Sequence, residues 1–297
     1  MVAIRANGLT IEVERHGPFD ATPLLLIRGL GSQLIHWPNA LLSGFVEAGF
    51  HVVTFDNRDA GLSQKFDELG PGSTHVYSLR DMAADAVGVL DALDIARAHV
   101  LGISMGGMIL QIMALRYPAR LLSAAIVMSS SRAPYLEPGE PKATALLTTE
   151  PASNRREDVI AHELRAGRAW QSPRWPFDEA ERAELIGRAY DRCYHPNGTA
   201  RQYQAVLAAD TDLAEIDTIT TPTIVIHGSD DSLLPLPHGR DIADRIPGAR
   251  FVEIEGMGHD IEGDCPALLV REVTEFAANS ADPLGLPKKQ ANFRSGR

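Results

Sequence analysis

Along residues 9–15, Leu-Thr-Ile-Glu-Val-Glu-Arg, apolar and polar side chains alternate with the period of a half-exposed strand, and residues 2–5 precede it across Ala6-Asn7-Gly8 as a hairpin partner. The pattern then changes. Residues 24–27, 51–55, 100–103, 124–128, 223–226 and 251–254 are mostly apolar runs, the mark of strands buried on both faces of a parallel sheet. Helical stretches alternate with them: 37–48, 108–117 closed by Pro118, and 266–278. A further helix opens at Ser78, an N-cap with Asp81 three residues on, and runs to about residue 93 with Met82, Ala86, Val89, Leu90 and Leu93 on one face. This β-α-β order predicts an α/β fold, a mostly parallel central sheet with helices on both faces. The alternation breaks at Ser129-Ser130-Ser131. From residue 132 to 212 no buried strand run occurs, and helix-like segments at 155–170 and 178–193 predict a helical insertion over the edge of the sheet. The core is therefore expected in two parts, 1–131 and 213–280. Residues 281–297, with little to bury, are expected to form a mobile C-terminal tail.

Composition narrows the function. A chain of 297 residues can bury one large α/β core with an insertion. Its 28 basic and 39 acidic residues give a net charge of −11, which argues against nucleic acid and anionic membrane surfaces as partners. Cys193 and Cys265 lie far apart without a CxxC or Cys/His spacing, so neither a disulfide framework nor a zinc site is expected. His162-Glu163 starts like a zinc-protease motif, but Ala166 stands where the second histidine belongs. The chain opens Met-Val-Ala-Ile-Arg without a charged-then-apolar leader, and no apolar run approaches membrane-spanning length. A soluble cytoplasmic protein is the expectation; nothing in the pattern sets an oligomeric state.

Three strand ends carry the chemistry. Ser104 is flanked by Gly102 and Gly106, as a sharp strand-to-helix turn requires, because a side chain two residues to either side would collide within it. Asp231 and His259 follow two later strands, so a parallel sheet would bring all three to its carboxyl edge in the order serine, acid, histidine. A serine hydroxyl needs an imidazole to take its proton, and the imidazole needs a carboxylate to fix its tautomer. His259 sits on a short Gly-Met-Gly turn that lets the ring lean over the serine. Asp230, adjacent to Asp231, is the alternative acid. The amide of Met105, directly after the serine, is a donor for a tetrahedral oxyanion.

With these motifs the chain resembles the α/β-hydrolase fold superfamily, over about residues 2–278, and within it the bacterial carboxylesterase and anthracycline-methylesterase-like group with a helical cap. That group also carries a D-x-R-D-x-G-x-S segment, here Asp56 to Ser63. The resemblance implies a cofactor-independent serine hydrolase of carboxylic esters that acts on a small molecule. It places the nucleophile on Ser104, the acid on Asp231 by its spacing before Pro235, and the base on His259. It also makes Arg28-Gly29-Leu30-Gly31 the oxyanion loop, with the Leu30 amide as second donor, and residues 132–212 the cap. Histidine is common in the family where this chain has Arg28. That guanidinium either binds a polar or anionic group in the pocket or braces the loop against Asp56 or Asp59. Trp170, Trp175, Tyr190, Tyr194 and His195 are candidates to line the pocket, with Phe177 beside them. Alternatives on the same triad are C–C bond hydrolysis of a diketone or cofactor-free perhydrolysis; a catalytically silent small-molecule receptor is the alternative of another class.

Overall fold

Eight strands form one sheet in the computed structural model, which describes residues 1–69 and 76–280. In chain order these are β1 (Val2–Ala6), β2 (Leu9–His16), β3 (Thr22–Ile27), β4 (Phe50–Phe55), β5 (Ala98–Ile103), β6 (Leu121–Val127), β7 (Thr223–Gly228) and β8 (Arg250–Ile254). Their spatial order is β1-β2-β4-β3-β5-β6-β7-β8. β1 pairs with β2, and β2 with β4, antiparallel; every later pairing is parallel. The chain leaves β3 for β4 on one side and crosses back to β5 on the other. The topological switch therefore lies between β3 and β5, where the carboxyl ends of such sheets leave a crevice.

The nine helices are α1 (Asn39–Glu47), α2 (Leu79–Ala92), α3 (Met105–Arg116), α4 (Pro141–Ala145), α5 (Arg156–Trp170), α6 (Glu179–Cys193), α7 (Pro196–Leu207), α8 (Leu236–Arg245) and α9 (Cys265–Asn279), counted among the described residues. Alternation along β3 divides the core. Leu25 and Ile27 pack with α2, α3 and α8 on one face, and Leu24 and Leu26 with α1 and α9 on the other. Each leucine so buried contributes about 1.5–3 kcal/mol. α2 begins where its sequence predicts: the Ser78 hydroxyl accepts from the Asp81 amide at 3.3 Å while the Asp81 carboxylate accepts from the Ser78 amide at 2.8 Å.

Two elements depart from the sequence reading in an informative way. α3 starts at Met105, three residues before the predicted position, because Gly106 and Gly107 join the helix despite poor propensity. Close packing explains this: a side chain at Gly106 would strike the Ile27 carbonyl, and one at Gly107 would strike Ser129. β8 is the last strand of the sheet and mostly half-exposed, since nothing pairs beyond it. Between β6 and β7 the described chain is helical, without a strand. The expected tail at 281–297 lies outside the described residues.

Candidate active site

β5 delivers Ser104 at φ 53° and ψ −121°, a conformation that costs a non-glycine residue about 1–3 kcal/mol. Its surroundings hold it there. The Ser104 amide donates to the Val127 carbonyl at 3.0 Å, and its own carbonyl accepts from the Ser129 hydroxyl at 2.8 Å and the Gly107 amide at 2.9 Å. A side chain at Gly102 would run into the Gly106 carbonyl, so glycine is needed at both flanks of the turn, as the sequence implied. The rest of the turn is buried, while Ser104 itself stays half-exposed.

His259 reaches this hydroxyl from the loop after β8. Its Nε2 lies 3.0 Å from Ser104 Oγ and its Nδ1 lies 2.7 Å from Asp231 Oδ2. The backbone amide of His259 donates to the Trp170 carbonyl at 2.8 Å, which fixes the ring from the α5 side. Asp231 follows β7 and is buried. Burial alone pushes its carboxyl up, but the charge of His259 and the hydrogen bond to it, with His227 and the Leu234 amide, outweigh burial and hold it below the usual carboxylate range. Asp231 Oδ1 also accepts from the Leu233 and Leu234 amides at 2.9 and 2.8 Å. An ionised carboxylate can only accept, so the Nδ1 proton of His259 points to Asp231 and the Nε2 lone pair faces the serine hydroxyl. Asp230 is exposed and bonded to Ser229, away from the histidine. His227, kept neutral by burial, donates from Nε2 to the Leu234 carbonyl at 2.7 Å.

Neither the Leu30 nor the Met105 amide donates a hydrogen bond among the described residues. Met105 is the first residue of α3, where helical geometry leaves the N–H free. The 28–31 loop touches the serine: a Cβ placed on Gly29 would lie 3.2 Å from Ser104 Cβ. Gln202 on α7, which no motif or hydrophobic period singles out, holds this loop. Its Oε1 accepts from the Gly31 amide at 2.8 Å, and its Nε2 donates to the Arg58 carbonyl at 2.7 Å.

The loop after β4 ties the surroundings together. Arg58 makes two hydrogen bonds to Asp85 at 2.6 and 2.8 Å, and Asn57 donates to the Arg28 carbonyl at 3.1 Å. Asp56 pairs with Arg192 at 2.8 Å, and Asp59 with Arg201 at 2.8 and 2.9 Å. Both carboxylates are thereby occupied by the segment between β6 and β7, so Arg28 does not brace its loop against either.

The other pocket candidates fall in different places. Trp170 donates from Nε1 to the Ala143 carbonyl at 3.0 Å, and Trp175 is buried in the core face shared with α1 and α9. Tyr190 and Tyr194 stack at 5.0 Å, and their hydroxyls donate to the carbonyl and side-chain oxygens of Asn154. His195 lies against Arg201, Asp59 and Asp67, and is kept neutral chiefly by burial. No hydrogen bond, ion pair or ring contact among the described residues joins Tyr190, Tyr194 or His195 to Ser104, Asp231 or His259. Phe177 packs between the guanidinium groups of Arg168 and Arg182. Among the described residues no group of three or more His, Cys, Asp or Glu side chains is placed to hold a metal ion, and no helix is long and apolar enough to cross a membrane.

Comparison with known proteins identifies the fold family. The family model for the alpha/beta hydrolase fold matches residues 22–262. The chain is 33% identical over 264 residues to rhodomycin D methylesterase DauP of Streptomyces sp. (strain C5), covering 82% of this chain and 86% of that protein. Among solved structures, the enol-lactonase from Burkholderia xenovorans LB400 superposes with a TM-score of 0.76 at 25% identity, over 93% of this chain and 100% of that one. The meta-cleavage product hydrolase CumD from Pseudomonas fluorescens IP01 gives 0.75 at 20% identity over 95% and 98%, a likeness of fold alone.

Proposed function

This chain belongs to the alpha/beta hydrolase fold family, and on that footing we propose that it is a serine hydrolase that cleaves carboxylic esters through an acyl-enzyme on Ser104. The observation that carries the reading is the unbroken proton path from Ser104 Oγ to His259 Nε2 at 3.0 Å and from His259 Nδ1 to Asp231 at 2.7 Å. Ser104 Oγ attacks the ester carbonyl as Nε2 takes its proton, and buried Asp231 stabilises the imidazolium that forms. The carbonyl oxygen, now an anion, receives the Leu30 and Met105 amides, which have no other acceptor among the described residues. Nε2–H then protonates the departing alcohol. Water, deprotonated by the same nitrogen, attacks the acyl carbonyl and releases the acid.

Residues 132–212 form the cap in this reading, with 1–131 and 213–280 the two parts of the core. The cap reaches the chemistry through two hydrogen bonds, from the His259 amide to the Trp170 carbonyl and from the Gly31 amide to the Gln202 side-chain oxygen. Ester cleavage is favoured over C–C cleavage by the methylesterase relative, which is the more similar in sequence. The test is a panel of p-nitrophenyl esters of increasing acyl length with a fluorophosphonate label. Turnover and labelling, both lost in Ser104→Ala, support the reading. No turnover of any ester, with turnover of a vinylogous diketone, would replace it by C–C hydrolysis; ligand binding without any turnover would make the protein a receptor.

A further inference from the structure

Arg28 occupies an unusual position for a cation. It immediately precedes Gly29, where an added Cβ would lie 3.7 Å from Ser104 Oγ, and across from it stands Glu262, three residues beyond His259. Its guanidinium carbon lies over the Trp37 ring, 4.7 Å from the centroid. Among the described residues Nε and Nη1 are buried without a hydrogen-bond partner, and the buried Trp37 Nε1 beside them is a third donor with no acceptor.

The neighbouring charges leave Arg28 in surplus. Glu262 is engaged by Arg182, with Nη1 and Oε1 3.0 Å apart, and that second guanidinium repels Arg28. His36, on which the Arg28 charge also acts, is kept neutral by burial and by the surrounding arginines, its pKa pushed down to about 3. Glu163, which faces Arg182, is pushed toward its protonated form by burial. Burial lowers the Arg28 pKa to about 9, still charged at neutral pH. A cation this desolvated, with Nε and Nη1 buried and no directly bonded anion among the described residues, is costly to keep.

We propose that Arg28 binds a carboxylate carried by the substrate itself, so that the preferred esters are anionic, with their charge in the acyl or the alcohol part. Resting on the esterase reading, this names its substrate class. The carboxylate supplies acceptors to the unpaired guanidinium N–H groups and offsets a charge that neither Asp56 nor Asp59 is free to meet.

The experiment pairs each charged ester with a neutral isostere. Mono-p-nitrophenyl esters of succinic to adipic acid are compared with p-nitrophenyl butyrate to hexanoate, and 4-acetoxybenzoate with phenyl acetate, on the full chain. The wild type should favour at least one charged member in kcat/KM, by an amount on the order of 10- to 100-fold. Arg28→Met should erase that ratio, and Arg28→Lys should keep part of it. The pair that shows the preference tells whether the charge lies on the acyl or the alcohol side. A second arm needs no turnover: calorimetry with benzoate and adipate against benzamide and adipamide, in wild type and both variants. Equal preference for charged and neutral members in the wild type, or a preference that survives Arg28→Met, overturns the proposal. Should Arg28→Met fail to fold, the wild-type ratios and the Arg28→Lys comparison still decide. Carboxylate binding that requires Arg28 in a protein that hydrolyses no ester would leave the anion site standing and remove the esterase reading. Ester hydrolysis without any charge preference would do the reverse.

Discussion

Gln202→Met separates the hydrogen bonds of α7 from its packing. Gln202 is fully buried on α7, and its amide spans the Gly31 N–H at 2.8 Å and the Arg58 carbonyl at 2.7 Å. Methionine fills nearly the same volume but pairs with neither group. Leaving the buried Arg58 carbonyl unpaired costs about 1–3 kcal/mol and the part-buried Gly31 amide less, so unfolding in urea should show a loss of about 1–4 kcal/mol if nothing rearranges. The catalytic effect follows from position. Gly31 adjoins Leu30, the proposed oxyanion donor, and removing one such donor outright lowers kcat by about 10²–10³. A loop that is loosened rather than cut should lose about 10- to 100-fold in kcat, with KM changing far less. The pH profile should keep its shape, because the triad is untouched. Steady-state kinetics on a short p-nitrophenyl ester, with urea melts on the same preparation, measure both quantities. A folded Gln202→Met variant with wild-type kcat would refute the claim that α7 sets the oxyanion loop.

Three other outcomes follow from particular contacts. Asp231→Asn should lower kcat by about 10⁴-fold with little loss of fold, since the introduced amide donates to Nδ1 and forces the wrong tautomer of His259; steady-state rates beside circular dichroism check it. Gly106→Ala places a methyl group against the Ile27 and Arg28 carbonyls and should destabilise by about 1–3 kcal/mol or more, read by the urea midpoint. His99 is buried against Ser123, its pKa lowered to about 4 by burial and by Arg97. The unfolded chain therefore binds this proton more tightly, and stability contributed above pH about 6.5 is lost as pH falls toward 4, by about 2 kcal/mol at pH 5. In His99→Gln the urea midpoint should depend less on pH across that window; an unchanged slope would assign the acid sensitivity elsewhere.

Much of this was legible in the sequence because it is local. Apolar runs marked the strands, Ser78 with Asp81 marked the start of α2, and two glycines around Ser104 announced the turn whose sterics the structure bears out. What escaped was held by distant partners. α7 buries Gly198, Arg201, Gln202 and Ala205, a polar face that no hydrophobic period reveals, and it begins with the poor helix formers Pro196, Asn197 and Gly198. It forms because Arg201 pairs with Asp59 and Gln202 bridges two loops more than 140 residues away. Arg28 illustrates the same limit from the other side. Asp56 and Asp59 were reasonable partners by proximity, but Arg192 and Arg201 take them, and this rivalry exists only once the insertion has folded over the β4 loop.

The central claim is that Ser104 carries the acyl group between the two halves of the reaction. Rapid-quench mass spectrometry during turnover of a p-nitrophenyl ester tests it directly. The account predicts a protein species heavier by one acyl group, mapped to the peptide bearing Ser104, formed in a burst with p-nitrophenol and absent in Ser104→Ala. Steady hydrolysis with no adduct at Ser104, or an adduct on another side chain, would contradict it.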